Sequence, residues 1–213
     1  MFDNDINSKN WNNYFIEGTN VLKNKLGITD KTILMNKEIE ITFFKLLELH
    51  LNPICMNFDS VHLKSIHYYL FNEIYEFAGK YRDVYMEKNN SYFASVNQIE
   101  PRLEEIFSSM NNEVNTITSK YQFACFLAEY YVQLLYVHPF REGNGRTIRE
   151  FIREFANEKS KNLSFGEIYF SWNNIDEEVI ESIINKSIAF RSVIELEFMK
   201  ALDDFDKSVN YSK

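Results

Sequence analysis

His138, Glu142, Arg146 and Arg149 bring a general base, a metal-binding carboxylate and two guanidinium groups into twelve residues of sequence. The run reads His138-Pro139-Phe140-Arg141-Glu142-Gly143-Asn144-Gly145-Arg146-Thr147-Ile148-Arg149. Gly143, Asn144 and Gly145 can take backbone angles closed to bulky residues, so their successive N–H groups can turn inward as a nest for an anion. A helix starting near Arg146 adds free N–H groups and the positive end of its dipole. Arg146 and Arg149, three apart, share a helix face and can reach one anion chain. Glu142 is the carboxylate at the mouth of this basic pocket. It suits Mg²⁺, which takes one or two carboxylates and completes its shell with phosphate oxygens. Singly, each feature is ordinary. A histidine at a helix end is more often a cap than a base, and glycines around an asparagine usually make a turn. The two arginines could also pair with Glu150 and Glu154 on a solvated face. In this fixed order, the residues describe a site for a Mg–nucleotide with a histidine alongside.

Two helices must position these groups. Residues 121–137 place Phe123, Phe126, Leu127, Tyr130, Leu134 and Leu135 at helical spacing. His138 precedes a proline, which disfavours α geometry and predicts an extended residue that ends the helix there. Phe140 is the apolar residue expected to pin the loop to the core. Upstream, residues 37–50 look helical, Asp59 or Ser60 can cap a helix carrying Ile66 to Phe77, and Pro101 suits the first turn of a helix through Phe107. Residues 111–120 read as a polar connector and 157–166 as a loop. A helical pattern returns from Asp176 to about Phe205, with Ile183, Ile184, Phe190, Ile194 and Phe198 as core contacts. Residues 81–96 carry two β-prone runs around an Asn-rich turn, which predicts a hairpin. No repeat or low-complexity tract interrupts the chain.

The twelve-residue run resembles the signature of the Fic (filamentation induced by cAMP) family, written HPFx(D/E)GNGRxxR, at every specified position. Residues 66–71 and 74–82 resemble the helix and turn before that family's target-docking flap, so the resemblance spans roughly residues 60–200. It implies an all-α, Fic-type helical bundle with one short β-hairpin flap. The expected division is an N-terminal helical extension over 1–58 packed on the core, a Fic domain over 59–205 and a tail over 206–213. The implied activity is that of a protein adenylyltransferase, moving AMP from Mg–ATP to a hydroxyl side chain of a target protein with release of pyrophosphate. In the implied roles, His138 is the general base and Glu142 holds Mg²⁺. Gly143, Asn144 and Gly145 form the anion hole, with Asn144 also donating to the α-phosphate, while Arg146 grips the β-phosphate and Arg149 the γ-phosphate. A family branch that phosphorylates has lysine where this sequence has Gly145-Arg146, which favours nucleotidyl transfer here. The target would pair along the 81–96 flap, with Met86 and Tyr92 or Phe93 as candidates to clamp it. Because no motif position reads the base, UTP or GTP stays open as donor. A binding module without chemistry is the third reading.

Residues 14–28, from Tyr14 to Ile28, resemble the N-terminal segment of stand-alone Fic toxins, whose inhibitory helix comes from a small antitoxin. Asn13 to Gly18 also ends like an internal inhibitory motif, which leaves Glu17 as the competing switch. The net charge of −8 argues against a nucleic-acid-coating surface. The polar, acidic start and the lack of a long apolar run predict a cytoplasmic protein without a membrane span. Cys55 and Cys125 have no metal-ligand spacing and read as buried thiols, and His67 reads as a packed residue.

Overall fold

Asp30 and Asp59 start the first two long helices in the same way. The Asp30 carboxylate accepts from the N–H groups of Thr32 and Ile33 at the head of α1 (Lys31–Leu51). Asp59 accepts from Val61 and His62 at the head of α2 (Ser60–Phe71). Such caps satisfy helix-terminal donors and stabilise each helix by about 1 kcal/mol. The computed structural model describes residues 10–54, 57–88, 91–175 and 191–204. Beyond α2 come the hairpin β1 (Glu87–Lys88) and β2 (Ser91–Tyr92), then α3 (Ile99–Glu113), α4 (Lys120–Val137) and α5 (Asn144–Ser160). The chain continues through β3 (Ile168–Phe170), α6 (Arg191–Ala201) and β4 (Leu202–Asp204).

The expected all-α bundle is what forms. α4 is its axis, packed against α3, α5 and α6, while α2 bridges α5 and α1. Phe123, Leu127, Tyr131 and Leu134 of α4 are fully buried or nearly so, as are Ile148, Phe151 and Phe155 of α5. Truncating any of these phenylalanines would cost about 3–5 kcal/mol. Ile194 and Phe198 reach the core as expected, whereas Ile183, Ile184 and Phe190 lie outside the described residues.

Several boundaries differ from expectation. α2 stops at Phe71 and turns, rather than running to Phe77. α3 runs past Phe107 to Glu113, because Leu103, Ile106, Phe107 and Met110 form one buried stripe. α5 extends to Ser160, into the expected loop. The last helix gives way at Leu202 to β4, which pairs antiparallel with β3 (Ile168↔Asp204, Phe170↔Leu202). This second ribbon was not expected, since its two strands lie far apart in sequence. Cys125 is half-buried rather than buried, and Cys55 lies outside the described residues.

α1 shows two faces. Leu34, Glu38, Thr42 and Leu49 are buried, so two polar residues interrupt its inward stripe. Outward, Met35, Ile39, Phe43, Leu47 and Leu51 recur every four residues and are each between 45% and 80% exposed.

Candidate functional site

α4 ends at Val137, and His138 takes left-handed angles, φ 48° and ψ 61°. The proline does bar a further right-handed turn, but the chain escapes into the left-handed region instead of the extended one. That choice keeps the His138 N–H on the Leu134 carbonyl at 3.1 Å and caps the helix. A non-glycine residue there costs about 1–2 kcal/mol. Its surroundings hold it: the His138 carbonyl accepts from Arg82 Nε at 2.8 Å, and the imidazole stacks on the Phe93 ring at 3.8 Å with 10° between planes.

Arg82 is the hub behind that histidine. It is 2% exposed and among the described residues its side chain donates to carbonyls alone: His138, Val84 at 2.6 Å, Ala94 at 2.5 Å and Val137 at 3.2 Å. Its own N–H reaches the Pro139 carbonyl at 2.8 Å. Val84 and Ala94 lie at the feet of the two flap strands, so one side chain fastens the flap to the helix end and to the histidine. Burial pulls the guanidinium down to about 10. The flap is the expected antiparallel hairpin, registered Glu87↔Tyr92 and Lys88↔Ser91. Phe93, a candidate clamp for the target, covers the histidine ring, and the Tyr92 side chain lies outside the described part.

The loop from Phe140 to Gly143 is fixed from inside. Phe140 is fully buried, as expected, and stacks on His67 at 3.8 Å and 11°. The Asn144 side chain accepts from the Phe140 N–H at 2.8 Å and donates to its carbonyl at 2.7 Å. Its amide therefore staples the loop, and the group it turns to an anion is its backbone N–H. Gly143 sits at φ +78°, and a Cβ there would lie 2.2 Å from Phe71 Cζ. Since α5 starts at Asn144, the N–H groups of Asn144, Gly145 and Arg146 leave its first turn without intrahelical acceptors. These N–H groups can serve an anion, whereas the Gly143 N–H, expected to join them, is taken by the Glu142 carboxylate at 3.0 Å.

His67, read as a packed residue, is that and more. Its Nδ1 accepts from the Gly79 N–H at 2.8 Å, and its Nε2 donates to the Glu142 carbonyl at 3.0 Å. These partners assign the neutral Nε2–H form, and burial pushes the imidazole down to about 4. The ring thus ties the signature loop to the turn that leads into the flap. Arg141, the unspecified position of the run, is 7% exposed, with its guanidinium 4.2 Å from the Trp11 ring centre, 5.2 Å from Phe15 and 5.4 Å from Tyr14. Tyr14 in turn donates to Asp83 at 2.6 Å. The N-terminal arm is therefore clamped to the loop.

The charged groups converge on this nest. The Glu142 side chain is 43% exposed, accepts from the Gly143 N–H at 3.0 Å and lies 3.8 Å from Arg146. Arg149 folds back over the first turn of α5, where a Cβ on Gly145 would lie 3.3 Å from its Nη1. Burial raises the Tyr131 phenol, and the neighbouring Arg149 guanidinium pulls the other way. Arg146 is engaged by α1: it donates to Glu38 Oε1 and, at 3.1 Å, to Thr42 Oγ1, with Phe71 beneath it at 4.8 Å. Glu38 Oε2 accepts from the Tyr75 hydroxyl. Glu17 is exposed and has no ion-pair partner among the described residues.

All seven residues singled out from sequence thus lie in or around one loop and the first turn of one helix. Sequence reasoning missed Glu38, Thr42, Tyr75 and Arg82. A carboxylate on the inward stripe of α1 was the one signal for Glu38.

A family model described as Fic/DOC family matches residues 57–156. The chain is 38% identical over 151 residues to protein adenylyltransferase VbhT of Bartonella schoenbuchensis, covering 70% of this chain and 32% of that one. It thus spans about a third of the length of that relative. It is 30% identical over 137 residues to the probable protein adenylyltransferase y4lH of Sinorhizobium fredii, covering 63% of this chain and 70% of that protein. Among solved structures, the BepC effector of Bartonella tribocorum with bound AMPPNP superposes with a TM-score of 0.79 at 24% identity, over 91% of this chain and 97% of that one.

Proposed function

The chain belongs to the Fic/DOC family, and on that premise we propose that it is a protein adenylyltransferase, transferring AMP from Mg–ATP to a hydroxyl of a target protein. One observation carries the reading: His138 stands at the end of α4, directly before a nest of free N–H groups flanked by Arg146, Arg149 and Glu142. Relatives named protein adenylyltransferase support it. The reaction follows from these positions. The target hydroxyl oxygen bonds to the α-phosphorus, His138 takes its proton, and the bond from that phosphorus to the bridging oxygen breaks to release pyrophosphate. The nest and the arginines fix the polyphosphate and receive its charge, so catalysis is mostly positioning and electrostatic stabilisation.

Glu142 fits a magnesium ion. Its carboxylate is partly exposed at the mouth of the site, and no cluster of three or more metal-binding side chains exists among the described residues. A site with one protein carboxylate leaves the remaining positions to phosphate oxygens and water, as Mg²⁺ prefers. When bound, the ion would offset the negative charge of the polyphosphate.

The same proposal includes the finer assignments. Residues 59–205 form the catalytic domain, with 1–58 as extension and 206–213 as tail. The target pairs along the 81–96 flap by strand addition. A small antitoxin supplies inhibition in trans, an assignment supported by the exposed apolar ridge of α1 and by the lack of an ion pair at Glu17 among the described residues. No helix among the described residues is long and apolar enough to cross a membrane, and a cytoplasmic, nucleic-acid-free protein is proposed. The test is incubation of wild type and His138→Ala with Mg²⁺ and α-³²P-ATP, with and without bacterial lysate. Label on protein with the wild type alone is expected. Equal label from both would remove His138 from its role, and transfer from another nucleotide alone would replace ATP as donor.

A further inference from the structure

Resting on that reading of the site, we propose that Glu38, on α1, is a positioning residue for Arg146 and sets the grip on the second phosphate of the nucleotide. Arg146 does not stand free beside the nest. One terminal nitrogen donates to Glu38 and the other, at 3.1 Å, to Thr42 Oγ1. The Thr42 hydroxyl is oriented for this, because its own proton goes to the Glu38 carbonyl at 2.7 Å. The second Glu38 oxygen takes the Tyr75 hydroxyl proton. Burial and the Glu38 charge push the Tyr75 phenol well above its ordinary range, so it remains a donor. Phe71 supports the guanidinium from below, and the Arg146 side chain is 21% exposed. The plane of the guanidinium is thereby fixed before any ligand arrives, with its remaining N–H bonds available to an anion.

A carboxylate beside an anion site has two opposing effects. It takes up part of the arginine's charge, which weakens phosphate binding, and it removes the side chain's rotational freedom, which strengthens binding. The freedom of an unheld arginine is worth about thirtyfold in affinity. The carboxylate's charge is already directed at Arg146 and the Tyr75 hydroxyl, which hold both of its oxygens and reduce its repulsion of a phosphate. Positioning therefore wins. A detachable latch does not fit the surroundings either. Glu38 is held at both oxygens, is 8% exposed, and lies within a 21-residue helix anchored by buried Leu34 and Leu49. Releasing Arg146 would strand a buried charge.

The test compares binding of AMP and ADP with Mg²⁺ by calorimetry, using the full chain as wild type, Glu38→Ala and Glu38→Gln. The wild type should prefer ADP. Glu38→Ala should lose about tenfold or more of that preference while AMP affinity stays within about twofold. Glu38→Gln, whose amide oxygen still accepts from Arg146, should keep most of the preference. A parallel fall for AMP and ADP would mean a purely structural role and overturn the proposal. A preference that is unchanged, or raised in either variant, would overturn it too, the second result marking a latch. A wild type that binds no nucleotide would sink the reading of the site itself, and this inference with it.

Discussion

Replacing Arg82 by methionine keeps the length of the stem and removes every donor, so it isolates what the guanidinium does. Four side-chain hydrogen bonds to carbonyls are lost, at the C-terminal end of α4, at His138 and at both feet of the flap. Hydrogen bonds to a charged group are worth about 1.5 kcal/mol each at the low end, or about 6 kcal/mol together. Part of that is returned, because the buried charge is itself unfavourable. A guanidinium held at about 10 instead of its ordinary 12.5 gives back about 3 kcal/mol when removed. The net expectation is a loss of about 3 kcal/mol, readable as a lowered urea midpoint at pH 7.5 with an unchanged slope. Arg82→Lys, whose ammonium has three donors, should fall between the variant and the wild type. Activity should fall further than stability explains. His138 is held in a strained conformation by the same side chain, and a shift of about 1 Å in a reacting group costs about 100-fold. Single-turnover label transfer at saturating ATP and at a temperature where the variant stays folded measures this. A stability loss below about 1 kcal/mol, or an unchanged turnover rate in a folded Arg82→Met protein, would refute the reasoning.

Two further expectations follow from the same loop. Gly143→Ala must place a Cβ 2.2 Å from Phe71 Cζ at φ +78°, and should destabilise by about 3 kcal/mol from clash and backbone strain combined. In a double-mutant cycle Phe71→Leu should recover the clash part but not the strain, and independent, additive losses would contradict the contact. His67 titrates near 4 in the folded protein and near 6.5 unfolded, so its contribution to stability is complete above pH 6.5 and is lost as pH falls from there through 4. Between pH 7.5 and 5 that amounts to about 2 kcal/mol, and His67→Asn, which cannot titrate, should lose that much less over the same interval. Equal pH dependence in the two proteins would show that His67 is not held neutral.

What could be read in the sequence is what local physics decides. The stripe from Phe123 to Leu135 specified α4 to within a residue of its ends, and Pro139 marked where it stops. Asp59 was recognisable as a cap and Phe140 as a core anchor because composition and position suffice for both. The seven candidate residues could be singled out together because they are neighbours along the chain. Their supports were not found, because those come from far away: Glu38 lies 108 residues before Arg146, and His67 lies 75 before Glu142. The left-handed angles of His138 were hidden for the same reason, since Arg82 and Phe93 help to hold them. The β3–β4 ribbon was missed because strand pairing between distant segments has no local signal.

Most of the bonds that hold the reactive loop end on main-chain atoms. Arg82 binds the carbonyls of Val84, Ala94, Val137 and His138, and His67 bridges the Gly79 N–H and the Glu142 carbonyl. Such bonds place no demand on the side chains at those positions beyond their fit. The outward residues of the flap are therefore released from the task of keeping the histidine in place. Glu87, exposed on the first flap strand, can be exchanged for other residues while the scaffold behind it keeps its shape. On the proposed docking role, the flap is mechanically a replaceable reading head on a fixed scaffold, and its surface can drift toward new protein substrates without loosening the histidine.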